Sequence, residues 1–562
     1  MIRKINNYTD GGSGFGVTTD NYMKINPSTM FSASGKQRVD SFMSYSEKGF
    51  DIDVRTPFYG KTTPRSVVVN KWMTHLEQLS RSYPDLFNYE KEMAAKVGPL
   101  SIMKPLADRL NDAQAYYTLS HSMGYNVPLL EEAVVKTMNK FQVAGNLTAN
   151  TVIETVSGME LSKSSGMPYM QRKNRIAYKY MDPRYSWGSF YYANSQWSRD
   201  FFGSDSYDTC AIMGWRGQEG GPLPEDVKQR VIWMFPFGAS IQELSVYQPF
   251  IQHCQRCGVI PAWISRDAVD QHITSLFDTR SSDKDLIMCT DFTKFDQHFG
   301  TCLQNVARLV INQALAPTRN HFNWVTNVFD LKYRIPLYVG NDIVMVGPHG
   351  MASGSGGTNA DETIAHTALQ FEAAIHANQA LNPFSTCLGD DGVLSYSGLD
   401  PDDVIDTYTS HGLEMNPTKQ LVSTRNIIYL RHWYQYDYRV DGRCVGVYPT
   451  MRALGRLLGQ ERYYDDDLWS AKMVALRQLS ILENCKYHPL KEEFVKFCIK
   501  GDRYRLGIDI PGFLDGIGTI AREATEQIQD FLGYTKSHMI DSADQSRGIE
   551  NWWIVQYLKE LR

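Results

Sequence analysis

Apolar residues recur at helical spacing through much of the chain. Trp72, His75, Leu76 and Leu79 share one face, and Leu106, Leu110 and Ala113 share another. The same spacing links Ile241, Leu244, Val246 and Phe250, then Val269, Ile273 and Phe277. Leu303, Val306, Val310 and Leu315 predict a helix over 301–330, and a further helix is predicted over 401–411. Beyond 450, Leu454, Leu457 and Leu458, then Leu468, Met473, Leu476 and Leu479, predict a helical C-terminal part. The apolar tail 552–558 reads as a helix that docks as core. Elsewhere the period changes. Residues 228–234 read as a strand with a basic start, and 286–290 form a short apolar run. Residues 334–346 alternate as a hairpin does. In 385–396, two apolar runs flank Gly389, Asp390, Asp391 and Gly392. Residues 1–65 show no period and are rich in Gly, Ser, Thr and Asn, which predicts an irregular arm.

This pattern predicts an α+β protein in five parts: an arm (1–65), a helical domain (66–210), a mixed segment (211–285), a strand-rich centre (286–435) and a helical end (436–562). At 562 residues the chain exceeds one ordinary core.

The strand-rich centre carries the chemistry. Glycine and aspartate tolerate positive φ, so 385–396 is predicted to be a tight hairpin with Asp390 and Asp391 at its tip. Two adjacent anions are costly unless a cation sits between them. The 286–290 run leads into Asp291, and Asp296 follows. If that strand pairs with the hairpin, neighbouring backbones lie about 4.8 Å apart. Asp291 and Asp390 then share hard, oxygen-preferring cations such as Mg²⁺. Two such ions roughly 3.5–4 Å apart would clamp the attacking and leaving oxygens of a phosphoryl displacement. Between the acidic stretches lies a glycine-rich loop with Ser353, Gly354, Thr358 and Asn359. It opens into an amphipathic helix marked by Ala360, Ile364, Ala368, Phe371 and Ile375. Its amides and small hydroxyls can approach a sugar or phosphate closely.

Composition narrows the reading further. The chain is 43% hydrophobic and 21% charged, which describes a folded protein. Its net charge of −5 excludes an all-over basic coat and leaves room for a locally basic channel. Nine scattered cysteines do not suggest a disulfide framework, and a reducing compartment is expected. His253, Cys254 and Cys257 resemble half a zinc site, but no second pair follows, so buried thiols are expected. No apolar run reaches the roughly 20 residues that cross a bilayer. The first residues run into glycines without a signal-peptide core. Residues 160–210 interleave Tyr169, Tyr178, Tyr180, Tyr185, Trp187, Phe190, Tyr191, Tyr192 and Trp197 with Arg172, Lys173, Arg175, Lys179 and Arg184. That mixture suits a template-strand surface or a packed subdomain with a solvated basic face.

Asp291-x4-Asp296, then Ser353-Gly354-x3-Thr358, then Gly389-Asp390-Asp391 stand in the order of motifs A, B and C of viral RNA-dependent RNA polymerases. Over residues 215–435 the wording is most similar to double-stranded RNA viruses of the picobirnavirus kind, then the partitivirus kind. The resemblance implies a right-hand palm polymerase: fingers over 211–285, palm over 286–435 and thumb over 436–562. A helical N-terminal extension would bridge fingers and thumb. It implies that Asp291, Asp390 and Asp391 hold Mg²⁺, with Mn²⁺ as a substitute. Arg216, Lys228 and Arg230 match motif F and would neutralise an incoming triphosphate. Asp296, Ser353, Gly354, Thr358 and Asn359 would face the nucleotide sugar. Lys419 matches the motif D lysine that would protonate leaving pyrophosphate, and 429–434 match motif E. Glu362 stands where many plus-strand virus polymerases carry Asn, so the details of ribose recognition stay open, with Asn359 as a substitute.

The implied activity is template-directed RNA synthesis from NTPs that replicates and transcribes a viral double-stranded RNA genome without a primer. The implied partners are RNA template, RNA product, NTPs and the viral capsid protein. The implied enzyme is a monomer away from membranes, in the virion interior and host cytoplasm. A reverse transcriptase and a non-catalytic RNA-binding structural protein are the alternatives.

Overall fold

A computed structural model describes residues 3–4, 21–121, 127–141, 145–181, 199–202, 205–461, 463–464, 467, 469–527 and 548–562. Arg184, Tyr185, Trp187, Phe190, Tyr191, Tyr192 and Trp197 of the expected template surface lie outside the described residues.

The central sheet has four antiparallel strands in the order Thr386–Leu388, Asp391–Ser395, Ile287–Thr290, Leu421–Ser423. Successive side chains of a strand face opposite ways. Ile287, Cys289 and Val393 therefore face Val269, Ile273 and Phe277 of the helix Arg266–Asp278. Met288 and Leu394 face the other layer, with Val306 and Val310 of Thr301–Ala314 and Ile364 and Ala368 of Thr358–His376. Both faces are covered, which is why 287–290 reads as an unbroken apolar run rather than an alternating one.

A second sheet has six strands, in the order Arg3–Lys4, Tyr22–Lys24, Ile343–Met345, Leu337–Gly340, Ala211–Gln218, Lys228–Met234. Its one parallel pair joins Leu337–Gly340 to Ala211–Gln218. The helices Ala33–Lys48 and Leu106–Thr118 pack on this sheet through Val39, Met43, Leu106, Leu110 and Ala113. The helices Arg65–Leu76 and Pro84–Ala95 pack instead with Thr450–Leu458, Ala471–Glu483 and Lys491–Gly501. Glu90, fully buried on Pro84–Ala95, accepts Thr450 N at 2.7 Å, Thr450 Oγ1 at 2.7 Å and Met451 N at 2.8 Å. It thus satisfies the first amides of Thr450–Leu458. The N-terminal helices therefore touch both the six-stranded sheet and the C-terminal helices. The tail helix Trp553–Glu560 buries Ile554, Val555 and Leu558 in the C-terminal core.

Two expectations give way. The stretch 1–65 is not irregular throughout, since it contains the 16-residue helix Ala33–Lys48. Ser32 Oγ accepts Gly35 N at 3.1 Å and starts it. Only Gly35, Val39, Met43 and Ser46 of this helix are buried, too thin a stripe to stand out among polar neighbours. The single helix expected over 301–330 is two, Thr301–Ala314 and Arg319–Asn327, separated around Pro317.

Candidate active site

Leu388 pairs with Asp391, so Gly389 and Asp390 form a two-residue turn, with Gly389 at φ 62°. Thr290 pairs with Gly392. Continuing that antiparallel register sets Asp291 across from Asp391, next to Asp390. The register thus brings the backbones of Asp291, Asp390 and Asp391, distant in sequence, to one end of the sheet.

Each is held through its backbone or one oxygen. Gln420 Oε1 accepts Asp291 N at 2.9 Å, and Gln420 Nε2 donates to Asp291 O at 2.9 Å and Asn416 O at 3.0 Å. Thr363 Oγ1 accepts Gly389 N at 2.9 Å. His366, fully buried, places Nδ1 2.9 Å from Gly389 O and Nε2 3.3 Å from Thr290 Oγ1. Burial lowers its pKa to about 4, so the ring is neutral, donating to the carbonyl and accepting from the threonine. Asp391 Oδ2 accepts Leu430 N at 2.8 Å from the turn between the strands Asn426–Tyr429 and His432–Gln435. In that turn Leu430 and Arg431 adopt φ 49° and 64°, a left-handed conformation costly for side chains of this size.

The protein around the three carboxylates desolvates them. Water reaches the Asp390 side chain, which is 48% accessible, yet the surrounding protein desolvates it. Desolvation raises its pKa, and Arg230, 4.0 Å away, pulls it back. Desolvation and then the Asp390 charge push Asp391 up to about 7. Asp291 is also raised by desolvation, against Lys419, Lys96 and Lys228. Among the described residues, no three His, Cys, Asp or Glu side chains are already gathered at metal-ligand spacing. The donor set is nonetheless three hard carboxylates that crowd one another, and a divalent cation relieves that crowding.

On one side lies the glycine-rich loop. Ser353 Oγ donates to Asp296 Oδ2, so these two expected sugar-facing residues are joined. Trp233 N donates to Ser353 O at 2.9 Å. Glu243, fully buried, accepts Ser355 Oγ at 2.6 Å and Gly356 N at 3.1 Å. Gly354 has φ 126°, and a Cβ there would stand 2.3 Å from Trp233 O, so only glycine fits. Thr358 Oγ1 lies 3.5 Å from Ala352 O at the start of the helix. Asn359 Oδ1 accepts Trp263 Nε1 at 2.7 Å. Glu362 is buried between Asp296 and Gly389. Burial and then the Asp296 charge hold its carboxyl well above the usual range.

On the other side lie the strands Ala211–Gln218 and Lys228–Met234. Arg216 pairs with Arg230, and Gln218 with Lys228, so Arg216, Lys228 and Arg230 share one face. Of these three, Arg230 pairs with Asp390 of the hairpin among the described residues. Arg216 pairs with Glu461 at 3.9 Å. Lys228 and Lys419 are exposed, and both are felt electrostatically by Asp291.

Gln420, Thr363, His366, Glu243 and the Leu430 amide were not legible as site residues. Gln420 adjoins Lys419, but no spacing announces a side chain that binds a distant backbone. Away from the site, all nine cysteines are free. Cys254 is buried as expected, but Cys257 is exposed, 3.5 Å from His253 Nε2.

The comparisons agree with this geometry. Residues 130–442 match the family model described as viral RNA-dependent RNA polymerase. A potential RNA-dependent RNA polymerase of human picobirnavirus (strain Human/Thailand/Hy005102/-) is 48% identical over 518 residues, 90% of this chain and 94% of that protein. The crystal structure of a human picobirnavirus RNA-dependent RNA polymerase superposes with a TM-score of 0.88 at 45% identity, over 96% of this chain and 100% of that one. Its insertion-loop deletion mutant gives 0.86 at 43% identity over the same shares. The chain thus belongs to the viral RNA-dependent RNA polymerases, as an enzyme of the picobirnavirus kind with the fold of a palm polymerase.

Proposed function

We propose that this polymerase replicates and transcribes a double-stranded RNA genome by phosphoryl transfer assisted by two divalent ions, and that it starts chains without a primer. The observation that carries the reading is the register that sets Asp291 across from Asp391 and beside Asp390, with Arg230 4.0 Å from Asp390. Asp291 and Asp390 would hold Mg²⁺, or Mn²⁺ in its place. Asp391 would contribute less directly, because Leu430 N occupies one of its oxygens. Such ions supply Lewis-acid stabilisation of the attacking and leaving oxygens.

The chain's own groups do the rest. Arg230 and Lys228 neutralise the triphosphate from the shared strand face. Ser353 donates to Asp296 and keeps its hydroxyl oxygen available to a ribose 2′-OH, which donates as well as accepts. Thr363 and His366 fix the Gly389 turn while the nucleotide is bound. Lys419 gives a proton to departing pyrophosphate. The RNA template and product, the NTPs and the viral capsid protein are the partners of a monomeric enzyme that works in the virion interior and host cytoplasm. Among the described residues, no helix is long and apolar enough to cross a membrane.

The test is synthesis on single- and double-stranded RNA templates with NTPs, with and without primer. It is run with Mg²⁺, Mn²⁺ or a chelator. The expected result is labelled RNA without primer, lost on chelation and in Asp390→Ala. Product only with primer would overturn the initiation claim, and synthesis that survives Asp390→Ala would overturn the metal-site assignment. A preference for dNTPs would point to a reverse transcriptase.

A further inference from the structure

A fully buried lysine lies behind the glycine-rich loop, and the site described so far gives its charge no task. Lys332 Nζ stands 3.1 Å from Asp361 Oδ2, with both side chains out of reach of water. It also donates to Phe329 O at 2.7 Å. The rings of Phe329, Tyr333 and Tyr247 surround it, with centroids 3.8, 4.9 and 5.2 Å away. Two phenols complete the shell of Asp361: Tyr247 OH donates to Oδ1 and Tyr333 OH to Oδ2, each at 2.6 Å. Asp361 lies in the first turn of the helix Thr358–His376, so this buried pair anchors the end of the loop.

Glu243, on the helix Phe237–Arg256, is fully buried beside that pair. Burial raises its pKa, and the Lys332 charge is the largest influence that pulls it back, followed by the bonds from Ser355 and Gly356. Both of its oxygens are spent on the loop. Oε1 accepts Ser355 Oγ at 2.6 Å, and Oε2 accepts Gly356 N at 3.1 Å. Ser355 Oγ in turn accepts Gly357 N at 3.1 Å. The loop lies hard against this helix. A Cβ at Gly356 would stand 2.8 Å from Leu244 Cγ, and one at Gly357 would stand 2.4 Å from the Tyr247 ring. On its other flank, Ala352 N donates to Lys332 O at 3.3 Å and Trp233 N to Ser353 O at 2.9 Å. Ser353 thus sits between two sets of restraints, with its hydroxyl donating to Asp296.

We propose that Glu243 is a positioning residue for ribose recognition: backed by Lys332, its carboxylate pins Ser355–Gly357 and so fixes the Ser353 hydroxyl where it meets the nucleotide 2′-OH. This inference deepens the reading of Ser353 given above and rests on it. Glu243 itself touches no substrate. A carboxylate suits the task because both oxygens accept, one from a hydroxyl and one from an amide, and a nearby cation keeps it ionised in a buried place.

The experiment compares Glu243→Gln, Ser355→Ala, Ser353→Ala and the double variant Glu243→Gln/Ser353→Ala in the full-length enzyme. Single-nucleotide extension of a preformed RNA duplex, with ATP or with 2′-deoxy-ATP, gives kcat and KM for each nucleotide. Thermal melting reads stability, and filter binding reads affinity for the duplex. In Glu243→Gln an amide nitrogen replaces one acceptor, while Lys332 keeps Asp361 as its partner, so no buried cation is left alone. The expected result is a higher KM for ATP and a preference for ATP over 2′-deoxy-ATP that falls about tenfold, the worth of one hydrogen bond to the sugar. KM for 2′-deoxy-ATP and affinity for RNA should stay within about twofold of the parent enzyme. Ser355→Ala breaks the same contact from the loop side, should act in the same direction, and keeps the test open if Glu243→Gln does not fold. In the double variant the preference should fall no further than in Ser353→Ala alone, because Glu243 acts through Ser353. If Glu243 only stabilises the fold, melting drops and both nucleotides lose equally, which overturns the proposal. Losses that add in the double variant overturn it as well, since Glu243 would then act by another route. So does an unchanged preference in both Glu243→Gln and Ser355→Ala. Full preference retained in Ser353→Ala instead overturns the ribose reading itself, and this inference with it.

Discussion

Gln420 is the residue whose removal most directly tests how Asp291 is positioned. Its side chain makes three bonds, to Asp291 N and Asp291 O at 2.9 Å each and to Asn416 O at 3.0 Å. Gln420→Met keeps the length and removes all three. These bonds face solvent in part, so the low end of the usual net value applies, about 0.5 kcal/mol each. Their sum, about 1.5 kcal/mol, is the preference that holds Asp291 at the end of its strand. If all of it is felt in the transition state, kcat falls slightly more than tenfold. Gln420 touches neither nucleotide nor template in this reading, so KM for NTP and affinity for RNA should stay within twofold. The assay is single-nucleotide extension of a preformed RNA duplex over a range of NTP concentrations, beside a melting curve. A kcat within twofold of the parent enzyme would refute the reasoning. So would a loss carried wholly by KM or by melting, because Gln420 would then bind substrate or merely stabilise the fold.

Three further outcomes follow from the same structure. Asp390→Ala should abolish RNA synthesis while filter binding of RNA stays within a few fold, since the residue is assigned to chemistry rather than to holding the strand. Gly354→Ala forces a Cβ to 2.3 Å from Trp233 O at φ 126°; it should cost about 1–3 kcal/mol in conformation, lower the melting temperature and raise KM for NTP as the Ser353 loop shifts. His411 is buried with Nε2 2.8 Å from Glu372 Oε1 and Nδ1 2.9 Å from Val127 O. Burial pulls its pKa down, but hydrogen bonds with Cys302 and Glu372, the Glu372 charge and the Val127 carbonyl outweigh burial and raise it to about 10. A raised folded-state pKa stabilises fully below the unfolded value of about 6.5 and is lost as pH climbs towards 10. The melting-temperature gap between the parent enzyme and His411→Gln should therefore be largest near pH 6, on the order of 2 °C, and close by pH 10. A gap that widens with pH would reverse the assignment.

The parts of this site that sequence made legible are those where one residue type answers one local demand. Gly389 supplies the positive φ of a two-residue turn, and Asp390 and Asp391 stand at its tip because the strands on either side are apolar. Gly354 is needed because the loop passes against the Trp233 carbonyl. The helix Ala33–Lys48 was hidden because its buried stripe is thin and its cap is one ordinary serine. Arg216 and Asn359 illustrate what local sequence leaves out: their partners Glu461 and Trp263 are far off along the chain.

The same distinction explains how three acids can wait together without collapsing the hairpin. Charge and order are written locally, in Asp291 and in the Gly389–Asp391 turn. The restraint is written elsewhere. Gln420 holds the backbone of Asp291, Thr363 and His366 hold Gly389, and Leu430 N holds one oxygen of Asp391. These anchors leave the Asp390 side chain 48% accessible. The backbone hydrogen bonds thus hold the chain positions against repulsion among the acids. A divalent ion bound as proposed would meet a backbone already fixed on folding, and the movement left for binding is that of the carboxylate side chains.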